Sequence, residues 1–146
     1  MTPLTLVHLY PREMNIYGDT GNVVVLRRRL EWRGLPVEVV PVSVGDPLPT
    51  GADILLGGGG QDAAQGEIGA DFASRATSLR AMADDGVVML AVCGTYLHGP
   101  VLAKSPRFAD ELLRRAYARR GQDLELAPLD DSLAEQAARV AAGRPR

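Results

Sequence analysis

The single cysteine, Cys93, closes the apolar run Val87-Val88-Met89-Leu90-Ala91-Val92-Cys93 and is followed directly by Gly94. A nucleophile on a sharp turn at a strand end is lifted above its sheet, where a substrate carbonyl can reach it. The N–H of the next residue, here Gly94, can then help hold an oxyanion. A thiol with an ordinary pKa of about 8.5 is only slightly ionised at neutral pH, so it needs a base beside it. The chain has two histidines. His8 lies inside an apolar segment and reads as a core or sheet-edge residue. His98 lies in Gly94-Thr95-Tyr96-Leu97-His98-Gly99-Pro100, a glycine-flanked loop typical of a positioned functional side chain. Cys93 and His98 are thus the candidate nucleophile and base. The competing reading is a small buried hydrophobe and a surface histidine.

A second feature is Gly57-Gly58-Gly59-Gly60-Gln61-Asp62. It lacks the Lys-Ser/Thr of a P-loop, and Asp62 stands where the last glycine of a dinucleotide fingerprint would pack against the sheet. What remains is a loop whose backbone N–H groups can approach a ligand with no Cβ in the way, as an oxyanion hole requires. A plain strand-to-helix turn would have the same composition.

These residues need a scaffold, and the hydrophobic pattern supplies one. Strands are expected over 4–10, 37–44, 52–56 and 87–93. The last is continuously apolar, as suits a central strand buried on both faces. Helices are expected over 22–33, where Val23, Leu26 and Leu30 share a face, and over 70–84, with Phe72, Ala76, Leu79 and Ala83 on one side. Asp19 or Thr20 can cap the first helix, and Gly34 followed by Pro36 ends it. A third helix is expected over 105–120, with Ser105 as cap and Pro106 at the first helical position. A fourth follows Asp130-Asp131-Ser132, where Ser132 and Glu135 have capping-box spacing. Residues 143–146 read as a frayed tail. Alternating strands and helices predict an α/β fold, a flavodoxin-like or Rossmann-like parallel sheet with helices on both faces. Ligands bind outside the carboxyl ends of such strands. The segments 10–22, 57–62 and 93–99 all fall there.

Length and composition set the limits. At 146 residues with 46% hydrophobic and 23% charged residues, the chain reads as one packed domain, with 104–146 as its C-terminal helical segment. A net charge of −2 lacks the basic excess of a nucleic-acid binder. No apolar run nears the roughly 20 residues that span a bilayer, and the N-terminus lacks the features of a signal peptide, so a soluble, cytoplasmic protein is expected. One cysteine excludes an internal disulfide, and with two histidines leaves little for a metal site, so no metal is expected. Arg27-Arg28-Arg29 reads as a solvated helix face. Arg114-Arg115 and Arg119-Arg120 read as charges offsetting a helix dipole. Tyr17, Asp19 and Asn22 fall at the rim of the site, with no role beyond turn and cap.

The motifs taken together resemble a known family. Leu9-Tyr10-Pro11, Met14 through Asn22 and Leu26 through Gly34 are similar to the N-terminus of GatD-type glutaminase subunits of lipid II isoglutaminyl synthases. These belong with the cobyric acid synthase-like class I glutamine amidotransferases. Leu56-Gly57-Gly58-Gly59 with Gln61-Asp62 resembles their glycine loop, and Ala91-Val92-Cys93-Gly94 their nucleophile elbow. Residues 94–104 resemble the segment carrying their catalytic histidine.

The resemblance implies that Cys93 attacks the carboxamide of L-glutamine to give a γ-glutamyl thioester and ammonia, with His98 moving the proton. Gly57, Gly58, Gly59, Gly60 and Gly94 would hold the oxyanion. It further implies a heterodimer with a Mur-ligase-like subunit, MurT. That subunit uses ATP to amidate the D-glutamate of lipid II in peptidoglycan synthesis, so no cofactor is expected on this chain.

One departure stands out. In the family a large block of strands and substrate-binding residues separates the cysteine and histidine motifs, whereas here they meet at Gly94. The chain therefore reads as an internally shortened member. On a helix, the five positions from Cys93 to His98 give a rotation of about 140° and a rise of about 7.5 Å, which turns the ring from the thiol. A tight loop between Gly94 and Gly99 can bring it back. A non-catalytic binding remnant is the alternative function.

Overall fold

The computed structural model describes residues 1–14, 18–59, 62–91 and 100–143. Four strands form one parallel sheet: β1 (Leu4–Leu9), β2 (Val37–Val42), β3 (Ile54–Gly57) and β4 (Val88–Ala91), in the order β2-β1-β3-β4. Leu6 pairs with Val39 on one side and Ile54 on the other, and Ile54 pairs onward with Val88. The helices are α1 (Thr20–Glu31), α2 (Asp62–Ser74), α3 (Ala76–Asp84), α4 (Pro106–Arg119) and α5 (Ser132–Ala142), with a 3-10 turn at Val101–Lys104. The α/β class and the parallel sheet expected from the pattern are both present.

Strand alternation assigns the two faces. Leu4 and Leu6 of β1, with Ile54 and Leu56 of β3, pack against Val23, Leu26 and Leu30 of α1 and Leu113, Ala116 and Tyr117 of α4. Val7, Leu9 and Leu55 point the other way, against Ile68 of α2 and Leu79 and Met82 of α3. Helices therefore cover both faces.

From β1 the chain steps outward to β2, then returns past β1 to β3. The order reverses between β1 and β3, and this switch point is where open α/β sheets hold ligands. The tip of β1, the start of α1 and the Gly57–Gly59 loop all lie there.

Several expectations need correction. The single helix over 70–84 is two helices broken at Arg75, and its buried side carries Ile68, Arg75 and Leu79. Of the residues expected on the packed side only Leu79 is buried; Phe72, Ala76 and Ala83 are exposed, while Arg75 lies inward with its guanidinium on Asp71 and the Ser43 carbonyl. The apolar strand expected at the centre is β4, an edge strand among the described residues, with Met89 exposed. Its continuous hydrophobicity could not separate a central strand from an edge strand lying between helices.

The caps also differ. Neither Ser105 nor Asp19 makes a side-chain cap bond, although Pro106 does open α4. At α5 the Ser132 N–H donates to Asp130 Oδ1 (3.1 Å), and Asp131 holds the cap position in place of a Ser132–Glu135 box.

The arginine runs divide between solvent and the interior, with Arg114 and Arg115 exposed beside Glu111. Arg27 and Arg28 do face solvent, paired to Glu31. Arg29 is buried between Asp110 and Asp131, joining α1 to α4 and the start of α5. Arg120 clasps Asp53 through Nε (2.7 Å) and Nη2 (2.5 Å), and Arg119 pairs with Asp85. These two tie the end of α4 to the amino end of the sheet, which a dipole argument along one helix cannot foresee.

Candidate functional site

The site is built from three chain segments at the carboxyl end of the sheet. The first leaves β1 through Tyr10, whose φ of 52° turns the chain out of the strand. A bond from the Met14 N–H to the Tyr10 carbonyl (2.8 Å) closes the turn. Positive φ is strained for a residue with a Cβ, and Tyr10 is held there from both ends. Its N–H donates to the Val42 carbonyl (2.7 Å) and its hydroxyl to Asp71 Oδ2 (2.6 Å). Asp71 also accepts from Arg75 and from the Gly45 N–H (3.0 Å). The Arg75 guanidinium, then the Tyr10 hydroxyl, hold the Asp71 carboxyl down at about 2. Burial, then the hydrogen bond to Asp71, pushes the Tyr10 phenol up to about 12.

The second segment is the glycine loop. A Cβ on Gly58 would overlap the Met14 carbonyl oxygen and come within 2.7 Å of the Asp19 Cβ, so the β1 turn packs directly on this backbone. The Gly59 N–H donates to Asp19 Oδ2 at 2.9 Å. Asp19 is buried and sits at the start of α1 with helical φ and ψ. A capping side chain normally needs an extended backbone, so the carboxylate reaches across to the loop instead. The Gly59 N–H, expected among the oxyanion donors, is thus engaged by the Asp19 carboxylate. Gly57 has open space where a Cβ would stand.

The third segment is bounded by Ala91, paired with Gly57, and by Pro100. Pro100 packs on Gly21, where a Cβ would lie 2.7 Å from the proline ring. One turn into α1, buried Asn22 accepts the Leu102 N–H on its Oδ1 at 3.0 Å. Cys93, Gly94, His98 and Gly60 lie outside the described residues, as does Tyr17 of the rim. The nearest described residues on the two sides, Ala91 beside Gly57 and Pro100 on Gly21, both lie at the end of the sheet that carries the glycine loop.

His8, on the α1 side of β1, is buried. Burial lowers its pKa, while the Asp19 carboxylate pulls the other way. It is thus a core histidine, as its strand position suggests. Asp19 and Asn22 were legible only as rim residues. Their one sequence signal was the tight Gly18-Asp19-Thr20-Gly21-Asn22 turn, which carries no information about its distant partners. No group of three or more His, Cys, Asp or Glu side chains able to hold a metal ion occurs among the described residues. No described helix is long and apolar enough to cross a membrane.

A parallel α/β sheet with a glycine loop at its switch point defines a ligand-binding α/β domain. Residues 5–105 match the CobB/CobQ-like glutamine amidotransferase domain, and the chain belongs to that family. It is 32% identical over 97 residues to the GatD subunit of the glutamine-hydrolysing lipid II isoglutaminyl synthase of Staphylococcus aureus (strain N315), covering 66% of this chain and 40% of that protein. It is 37% identical over 94 residues to the same-named subunit of Streptococcus pneumoniae (strain ATCC BAA-255 / R6), covering 64% and 36%. The chain thus spans about two fifths of the length of the curated relatives it matches.

Proposed function

We propose that this chain is the glutaminase subunit of a lipid II-amidating synthase. The Cys93 thiolate attacks the side-chain carbonyl carbon of L-glutamine. The C–N bond then breaks, ammonia leaves with a proton delivered by His98, and a γ-glutamyl thioester remains. Water, deprotonated by the same imidazole, cleaves the thioester to glutamate and restores the thiol. The N–H of Gly94 and those of the glycine loop at Gly57, Gly58 and Gly60 stabilise the tetrahedral oxyanion. Gly59 contributes by holding the loop to Asp19. Ammonia passes to a Mur-ligase-like partner, MurT, which uses ATP to amidate the D-glutamate of lipid II in the cytoplasm.

The observation that carries this reading is that the glycine loop, Ala91 and Pro100 all lie at the carboxyl end of the sheet, in a chain of this family. The test is glutamate release from glutamine by the chain co-purified with its partner, and its loss in Cys93→Ala. An unmutated complex that releases no glutamate removes the reading.

A second reading, a binding remnant that docks on the partner without catalysis, is favoured by the five-position spacing of Cys93 and His98. A glutamine-mimicking electrophile separates the two. A working site is labelled at Cys93 at neutral pH, and a remnant is not.

A further inference from the structure

The first turn of α1 is joined to both loops that border the candidate site. From Asp19 the link is the carboxylate that accepts the Gly59 N–H at 2.9 Å, with the Asp19 Cβ filling space that only a glycine at 58 leaves open. Three residues on, the link is Asn22 Oδ1, which accepts the Leu102 N–H at 3.0 Å, with Pro100 seated on Gly21 between them. Both side chains are buried. Gly18, at φ 75°, makes the turn that delivers Asp19 to the loop, and the Gly21 N–H closes it on the Gly18 carbonyl (2.8 Å). Asp19 thus forgoes the capping bond expected at its position for one made across 40 residues of sequence.

We propose that Asp19 and Asn22 are positioning residues for the reaction. From one rigid helical turn, they set the Gly58-Gly59 loop and the Pro100–Leu102 segment in fixed relation to each other. This rests on the glutaminase reading above. Oxyanion donors help only when they already stand where charge will develop, and a displacement of about 1 Å is enough to weaken them severely. A loop rich in glycine has no side chains to anchor it, so the anchor must come from outside. Asp19 supplies it without touching glutamine.

The test uses the full chain in complex with its partner, comparing Asp19→Ala, Asp19→Asn and Asn22→Ala with the unmutated protein. In Asp19→Ala, amide hydrogen exchange over 57–60 speeds up, and kcat for glutamine hydrolysis falls about 10- to 100-fold with KM little changed. Asp19→Asn keeps an acceptor oxygen and recovers most of kcat. Asn22→Ala speeds exchange over 100–103 and also lowers kcat.

Unchanged exchange over 57–60 in Asp19→Ala overturns the proposal. So does a kcat unaltered despite faster exchange, or an Asn variant as impaired as the Ala variant. An unmutated complex that is itself inactive overturns the glutaminase reading, while the exchange comparison still decides whether Asp19 holds the loop.

Discussion

Arg29 and Asp110 form a two-pronged ion pair between α1 and α4, with Nε to Oδ1 at 2.7 Å and Nη2 to Oδ2 at 2.8 Å. Arg33 adds two further bonds to the same carboxylate, and Asp131 takes the remaining face of the Arg29 guanidinium. Burial works against the Asp110 carboxylate, but the Arg29 and Arg33 guanidiniums together hold its carboxyl below its ordinary range. The helix that begins at the candidate site is thereby locked to the C-terminal helices.

Removing Arg29 leaves Asp131 without its arginine and Asp110 with Arg33 alone. Arg29→Ala is expected to cost about 3–5 kcal/mol of folding stability, whereas Arg27→Ala, whose partner is a surface Glu31, stays within about 0.5 kcal/mol. Urea unfolding monitored by circular dichroism makes the comparison. Equal losses for the two would show that the cluster is not desolvated as described.

Gly58 and Gly57 should respond oppositely to alanine. A Cβ at 58 meets the Met14 carbonyl and Asp19, both of them anchored, so Gly58→Ala is expected to destabilise by about 1–3 kcal/mol. Gly57→Ala enters open space and leaves the melting temperature nearly unchanged. Thermal unfolding of the two variants is the check.

The Tyr10–Asp71–Arg75 cluster predicts two pH windows. The Asp71 carboxyl titrates at about 2 in the folded chain, below its unfolded value. Its contribution is therefore complete above about pH 4 and is lost as pH falls toward 2. The Tyr10 phenol titrates at about 12, above its unfolded value, so its contribution is lost between about pH 10 and 12. Asp71→Asn should flatten the acid slope of the unfolding free energy relative to wild type, and Tyr10→Phe the alkaline one. Slopes indistinguishable from wild type would count against the cluster.

Asp53 is fully buried at the opposite end of the sheet and accepts the Thr5 N–H on Oδ2 at 2.7 Å as well as the Arg120 fork. Asp53→Ala is expected to cost about 3–5 kcal/mol, and a double-mutant cycle with Arg120→Ala should reveal a coupling of about 1–3 kcal/mol. Additive losses would mean that the two do not act as a pair.

Much of the scaffold could be read locally. Leu4 to Leu9 and Val37 to Val42 announce strands as short apolar, β-branched runs, and Val23, Leu26 and Leu30 announce a helix because burial on one face imposes a period on it. Pro106 opens α4 as its fixed φ suggests. Arg29 could not be separated from Arg27 and Arg28, since three adjacent arginines have the same composition whichever one faces inward. Nothing local marks Arg75 as an inward residue either; its place is set by Asp71 and the Ser43 carbonyl.

The candidate site divides in the same way. Residue type and position along the chain were enough to single out the glycine loop and the Cys93 and His98 motifs, because tight turns need glycine and nucleophiles sit at strand ends. That the Asp19 carboxylate grips the Gly59 N–H, that Asn22 receives Leu102, and that both loops meet where the strand order reverses were matters for the tertiary structure. Hydrogen bonds between residues 40 and 80 positions apart arise from how the helices pack across the sheet, and no local pattern encodes them.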